Sequence, residues 1–363
     1  MKKIVQVMHY LFYNILRERK DKVIMDFKNI KKLFCVVMSA MLMFTGCGVS
    51  KDEDKKESVV DTDNSSFVSE EYNVAMLKGP TAMGFVKAWA DSDAGISKNK
   101  YNVSVHGTAD GITAGLMKDE VDIAAVPCNL ASVLNSKAEG KFKLVAINTL
   151  GVLYMISDSD EIKEISDLKG KTIYSTGQGT TPEYTLNYIL EKNGLVPGED
   201  VKIEYKSEAT EVAALMSNTK GAVAMLPQPY VTTVLANNEQ FKIVLDMTEE
   251  WDKVSEGAPL ITGVVVARTE VIDRNREAFD EFLKEYEAST KYVNENVEEA
   301  ANMLEERDVF KAAVVKNAIP YCNIEFTSGD KLKEKVSSYL EILYNANSNS
   351  VGGKLPKEDF YLE

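Results

Sequence analysis

From Tyr72 to Met247 the sequence alternates short apolar runs with amphipathic segments, and it does so twice on one plan. Each pass reads as a strand, a turn of small residues, a helix start, and then a second strand that ends in a proline turn. The turns fall at residues 78–84 and 126–129 in the first pass, and at 177–182 and 226–229 in the second. Strand–helix alternation implies parallel strands joined by crossovers. In such sheets ligands bind beyond the carboxyl ends of the strands. The expectation is an α/β protein of two lobes, each a mainly parallel sheet flanked by helices.

In the first pass the pattern predicts strands over 72–77, 101–105, 121–126, 142–148 and 152–157. Helices are expected over 81–90, 110–118 and 129–136, the last capped by Asn129. In the second pass strands are expected over 171–175, 201–205, 222–226 and 242–247. Helices are expected from Thr181, a cap followed by Pro182, to a stop at Gly194, and over 209–217 and 229–236. Residues 248–259 read as irregular, and 260–267 as a strand rich in valine. The remainder reads as helical over 274–294, 297–307, 310–318 and 329–346. The spacing of Phe279, Phe282, Leu283, Tyr286 and Tyr292 gives the first of these a buried face. Lobe I is placed at 71–153 plus 262–363 and lobe II at 154–261, with crossovers near 148–154 and 259–264 as hinges.

The N-terminal region has a different logic. Lys28, Lys31 and Lys32 precede a mostly apolar stretch over 33–44, and Thr45-Gly46 then presents Cys47. This is the three-part layout of an export signal with a lipoprotein cysteine. The stretch is shorter than the roughly 20 residues that span a bilayer. Residues 1–46 are read as the leader. Met25 opens a complete signal by itself, so 1–24 is either an upstream start or an extension in which Lys2, Lys3 and the apolar 4–15 imitate a second signal. Residues 47–70 are lipid anchor and polar tether, too poor in apolar side chains to fold.

The chain of 363 residues carries a formal charge of −14. Removing the leader takes away more basic than acidic residues and leaves a still more acidic body. Such a surface repels nucleic acid, whose binding depends on phosphate neutralisation. Of four cysteines, Cys35 lies in the leader and Cys47 is the proposed anchor. Cys128 and Cys322 are read as free, buried thiols rather than a disulfide framework. His106 is the one histidine beyond the leader, which removes most support for hydrolytic triads and histidine-based metal sites. No metal or cofactor is expected.

The candidate site lies in the four turns. Helix starts carry unsatisfied N–H groups and partial positive charge, and small residues let a ligand approach them. Thr81, Asn129, Thr180, Thr181 and Gln228 add short hydrogen-bonding side chains, and Lys78 is the only base in these turns. Tyr230 and Trp251 are the aromatics singled out to stack on a ligand. The turn at 177–179 lacks the third glycine and the Lys-Ser/Thr pair of nucleotide fingerprints.

Residues 106–134, HGTADGITAGLMKDEVDIAAVPCNLASVL, resemble the first-lobe signature of extracytoplasmic solute-binding proteins of the nitrate/taurine/sulfonate (NitT/TauT) type. Residues 168–235 resemble their second lobe through LKGKTIYSTGQGTTPEYTLNYIL and EATEVAALMSNTKGAVAMLPQPY. The resemblance spans about residues 72–353. It implies the two-lobed periplasmic-binding-protein type II fold and delivery of a small solute to the permease and ATPase of an ABC importer. It also implies a monomeric, lipid-anchored protein outside the cytoplasmic membrane, without catalysis. By position it implies ligand contacts at Pro80, Thr81, Ala82, Thr108, Asn129, Thr180, Thr181, Gln228 and Pro229. Gln228 stands where many such proteins have an acidic residue. The alternatives are an enzyme on the same fold related to thiamine-pyrimidine synthesis, or a sensory surface lipoprotein.

Overall fold

A computed structural model of the chain describes residues 67–216 and 218–363. The leader, Cys47 and nearly all of the tether lie outside the described residues.

The chain first lays down β1 (Glu71–Leu77), β2 (Lys100–His106), β3 (Ile123–Pro127) and β4 (Phe142–Thr149). It then crosses to a second sheet of β5 (Leu153–Ser157), β6 (Thr172–Ser175), β7 (Lys202–Tyr205), β8 (Val223–Pro227) and β9 (Lys242–Asp246). It returns as β10 (Gly263–Arg268) and β11 (Ile324–Thr327). The strand orders are β11-β4-β10-β3-β1-β2 and β7-β6-β8-β5-β9.

Both sheets are mixed. β1 runs parallel to β2 and β3, and β6 runs parallel to β7 and β8. β10 and β5, the strands that enter each sheet from the other lobe, are antiparallel to both of their neighbours. Geometry dictates this. Gly263 pairs with Pro127 and Leu153 with Pro227, so each entering strand starts where its neighbour ends and runs away from the lobe boundary.

The helices on these sheets are α1 (Pro80–Met83), α2 (Val86–Asp93), α3 (Ala109–Met117), α4 (Cys128–Lys137), α5 (Thr181–Lys192), α6 (Ala209–Met216) and α7 (Tyr230–Asn237). They continue with α8 (Met247–Asp252), α9 (Thr269–Arg274), α10 (Arg276–Glu295), α11 (Val297–Glu306), α12 (Ala312–Ala318) and α13 (Asp330–Ala346). None of the helices among the described residues is long and apolar enough to cross a membrane.

Several local expectations change. The helix expected over 81–90 is two, broken at Gly84 and Phe85. Gly84 packs so closely that an added Cβ would lie 2.9 Å from Ile324 Cγ2. Asn129 is not a cap: Pro127 holds that position and Asn129 lies inside the first turn. Thr180, not Thr181, occupies the cap of α5. Residues 247–252, read as the strand end and irregular, form α8, whose cap Asp246 accepts from the Thr248 N–H at 2.8 Å. β11 had no expectation.

The lobe I core is aromatic. Tyr72, Phe85, Tyr101, Phe279, Phe282 and Tyr286 interlock, with Phe85 and Tyr286 centroids 4.8 Å apart. Each such buried side chain contributes roughly 1.5–3 kcal/mol. β10, the valine-rich run, is buried along its whole length. α13 belongs to a core that spans both sheets: Leu332, Val336, Tyr339 and Leu340 share it with Leu186, Leu190 and Trp251. Cys128 and Cys322 are free and buried, and burial pushes both thiols above their ordinary range.

Candidate functional site

The carboxyl ends of the two sheets face one cavity of about 420 Å³. That is near the lower end of small-molecule pockets, roughly 300–1,000 Å³. Lobe I supplies the turn after β1 with Lys78, Gly79, Pro80 and Thr81, the turn after β2 with Gly107, Thr108 and Asp110, and Pro127 at the end of β3. Lobe II supplies Thr176, Gly177, Thr180 and Pro182 after β6, Tyr205 at the end of β7 with Lys206 and Glu208 after it, and Gln228 and Tyr230 after β8. Thr149, Val152, Leu153 and Thr262, from the ends of the crossovers, close the back. The starts of α3, α5, α6 and α7 therefore border one space, each with N–H groups that the helix leaves unsatisfied.

Gln228 is 1 % exposed. Its Oε1 accepts from the Thr232 N–H at 3.2 Å and from Thr232 Oγ1 at 2.8 Å. The oxygen is thus occupied, and the amide NH2 is left as a donor. Thr81 Oγ1 donates to Leu77 O at 2.5 Å, and Thr180 Oγ1 donates to Gly177 O at 2.7 Å. With their protons spent, both hydroxyls face a ligand as acceptors. Lys78 Nζ lies 5.1 Å from the centre of the Phe310 ring. Lys206 Nζ lies 3.8 Å from Glu204 Oε2. The Tyr205 hydroxyl is buried without a partner among the described residues, and burial raises its pKa. Tyr230 is pushed up to about 12, first by burial and then by the Glu208 charge.

The lobes touch around the cavity. The Glu208 carboxylate approaches so closely that an added Cβ on Gly107 would lie 2.9 Å from its Oε1. The Tyr230 and Phe310 rings meet edge to face with centroids 5.5 Å apart. Tyr154 OH donates to Tyr321 O at 3.0 Å.

Of the residues singled out in the sequence, Pro80, Thr81, Thr108, Thr180, Gln228 and Tyr230 line the cavity. Ala82, Asn129, Thr181, Pro229 and Trp251 do not. Ala82 lies deeper in α1, and Pro229 is the cap residue of α7. Asn129 and Thr181 are fully buried and bonded to each other, Thr181 Oγ1 donating to Asn129 Oδ1 at 3.2 Å. Trp251 is fully buried between Tyr188 and Tyr339, its indole N–H donating to Ala258 O at 2.7 Å. His106 ends β2 with Nε2 3.0 Å from Ser104 Oγ, and it does not line the cavity.

The turn after β7 was missed, yet it carried a signal. Residues 206–210, KSEAT, follow β7 as HGTAD at 106–110 follows β2, and both turns border the cavity. Among the described residues no group of three His, Cys, Asp or Glu side chains is placed to hold a metal ion.

Three comparisons bear on this architecture. The sequence model of a family described as "Menaquinone biosynthesis" matches residues 105–344. A curated Brucella abortus protein named as a binding protein is 25 % identical over 166 residues, 46 % of this chain and 50 % of its own. The chain thus spans about half the length of the curated relatives it matches. Among solved structures, an ABC transporter protein from Parabacteroides distasonis superposes with a TM-score of 0.67 at 26 % identity, covering 80 % of this chain and 98 % of that one. The periplasmic aliphatic sulphonate binding protein of Escherichia coli gives 0.63 at 13 % identity, covering 81 % and 96 %. The fold is the two-lobed periplasmic-binding-protein architecture.

Proposed function

This chain belongs to the menaquinone-biosynthesis family, and on that premise we propose that it is an extracytoplasmic receptor. It captures a small polar or anionic organic solute between its lobes and delivers it to the permease and ATPase of an ABC importer. The carrying observation is the cavity of about 420 Å³ where four helix starts converge with the Gln228 amide NH2, which has no partner among the described residues. These groups are donors, and helix starts favour negative charge. They suit an acceptor-rich group such as a carboxylate or sulfonate. The sulphonate-binding function of the E. coli protein and the ABC transporter origin of the P. distasonis protein support the same reading.

The receptor is a monomer without a cofactor, with lobes at 71–153 plus 262–363 and 154–261, tethered through acylated Cys47. Pro80, Thr81, Thr108, Thr180, Gln228 and Tyr230 contact the solute. Cys47→Ala should move the protein from the membrane fraction to the soluble one; unchanged partition would remove the anchor. For the cavity, a thermal-shift screen of organic carboxylates and sulfonates is the test. A solute at 100 times its Kd adds about 2.7 kcal/mol of stability. No shift with any anion would sink the reading.

The family's description supports a second reading, an enzyme using the same cavity. Lys78, Asp110, Lys206 and Glu208 are its candidate acid–base groups. Recovery of bound solute by mass spectrometry separates the two: a receptor returns it unchanged, an enzyme returns a product.

A further inference from the structure

Beside the solute cavity lies a second one of about 470 Å³, and Lys78 and Tyr230 line both. It is also an interlobe space: α6 and α7 of lobe II form one wall, and the loop between α11 and α12 with α12 of lobe I forms the other. Its polar side chains are largely engaged elsewhere. Glu305 Oε2 accepts from the Ala312 N–H at 3.0 Å and its Oε1 pairs with Lys311 at 3.2 Å. Thr233 Oγ1 donates to Pro229 O at 3.1 Å, and Thr210 Oγ1 donates to Glu208 Oε2 at 3.2 Å. Asn237, Asp308 and Lys311 add polar groups to the lining, and the apolar surface offered to a guest comes from Ala214, Val309, Phe310 and Val314.

The boundary between the cavities has a specific chemistry. Tyr230 and Phe310 meet edge to face across it, one ring from each lobe. Lys78 rests its ammonium on the Phe310 ring and forms no ion pair among the described residues. A cation is therefore held at the junction of the polar main chamber and a mostly apolar one.

We propose that the side cavity is a second compartment of the ligand site, and that the ligand is an amphiphilic organic anion. Its acidic group lies in the main cavity, within reach of Lys78 and the Gln228 amide, and its apolar arm passes the Tyr230–Phe310 pair into the side cavity. The arm is selected by buried apolar area, the head by hydrogen bonds and charge. This inference rests on the anionic-solute reading above.

Calorimetric titration of the full chain with ethane-, butane-, hexane- and octanesulfonate, and with the carboxylates of equal length, tests it. Affinity should rise with chain length by about tenfold or more from the shortest to the longest member, as buried methylenes accumulate. Val314→Trp, at a half-buried position on the lobe I wall, should flatten the rise while leaving the shortest ligand unchanged. Ala214→Trp, at an exposed position on the lobe II wall, should do the same and covers the case in which the first variant fails to fold. A series that rises and is flattened by either variant supports the inference. A rise that neither variant alters places the arm elsewhere and overturns it. Binding that does not depend on chain length overturns it while leaving the receptor reading intact. Failure of every member to bind removes both.

Discussion

At the residue scale, the proposed receptor turns on Gln228, which lines the cavity. Thr232 fixes its oxygen, so the amide reaches a ligand as a donor. Gln228→Glu should weaken binding of an anionic solute by about 10- to 100-fold, because a donor becomes a charge of the ligand's own sign, and a hydrogen bond to a charged group is worth roughly 1.5–3 kcal/mol. Gln228→Leu should cost less. Titration calorimetry at pH 7 checks the order; equal affinities would take Gln228 out of the site. Gly79 carries φ 153° and ψ −155°, a region open in practice only to glycine, and it places Lys78 and Thr81 on the cavity wall. Gly79→Ala should lower stability by about 1–3 kcal/mol in urea unfolding. Small residues in turns were legible as cavity wall, because their type and position both point to close backbone approach. Asn129 and Trp251 were misplaced for one reason: polar and aromatic side chains satisfy protein partners as readily as ligands. Only the tertiary partners Ser350, Thr181, Tyr188 and Tyr339 show which.

At the element scale, Asn129 ties three pieces of chain together. From the first turn of α4 its Nδ2 donates to Ser350 O at 2.9 Å and Gly179 O at 3.4 Å, while its Oδ1 accepts from Thr181 at the start of α5. Asn129→Ala takes this partner from the buried Ser350 carbonyl, the Gly179 carbonyl and the buried Thr181 hydroxyl, and should cost about 2–3 kcal/mol of unfolding free energy. A change within error would show that solvent already serves those carbonyls. Glu139, after α4, holds the C-terminal segment through Lys354 and Lys357. These hydrogen bonds keep its carboxyl at about 2, below its ordinary 4.5. A depressed carboxylate adds stability that is complete above the unfolded value and disappears as pH falls through the folded one. The urea midpoint of Glu139→Gln should therefore lie below wild type at pH 7, with the gap narrowing below about pH 5 and closing near pH 2. A gap that does not change with pH would assign its effect to packing. Strands with continuous apolar runs, such as β3 and β10, were readable because burial on both faces demands that composition. α8 and β11 were not. α8 has six residues and its signal, Asp246 with Thr248 and two acidic residues in the first turn, lies inside a polar stretch. β11 has four residues and owes its state to pairing with β4, a partner far away in sequence.

At the scale of the whole molecule, the repeated strand–turn–helix plan was enough to foresee two sheets facing one space. It could not foresee that α13 packs into a core spanning both sheets, because its apolar stripe reads the same whichever surface covers it. Two crossovers and this shared core join the lobes, and on the receptor reading they are where closure would pivot. Gly263 is the tightest point of the returning crossover. An added Cβ there would lie 2.6 Å from Asn148 Oδ1, 2.8 Å from Thr81 Cγ2 and 3.1 Å from Thr149 Cβ. Asn148 cannot yield cheaply, since it is 1 % exposed and its Nδ2 donates to Tyr286 OH at 2.9 Å. Gly263→Ala must then push β10 outward or Thr81 into the cavity. Overpacking of this kind costs about 1–3 kcal/mol. Because Thr81 is part of the cavity wall, the variant should lose solute affinity as well as stability. On the receptor reading, wild type should contract on binding solute, measured as a drop in radius of gyration by small-angle scattering, and the variant should contract less. A variant that loses stability but closes on solute as wild type does would place the pivot in the outgoing crossover, at residues 150–152.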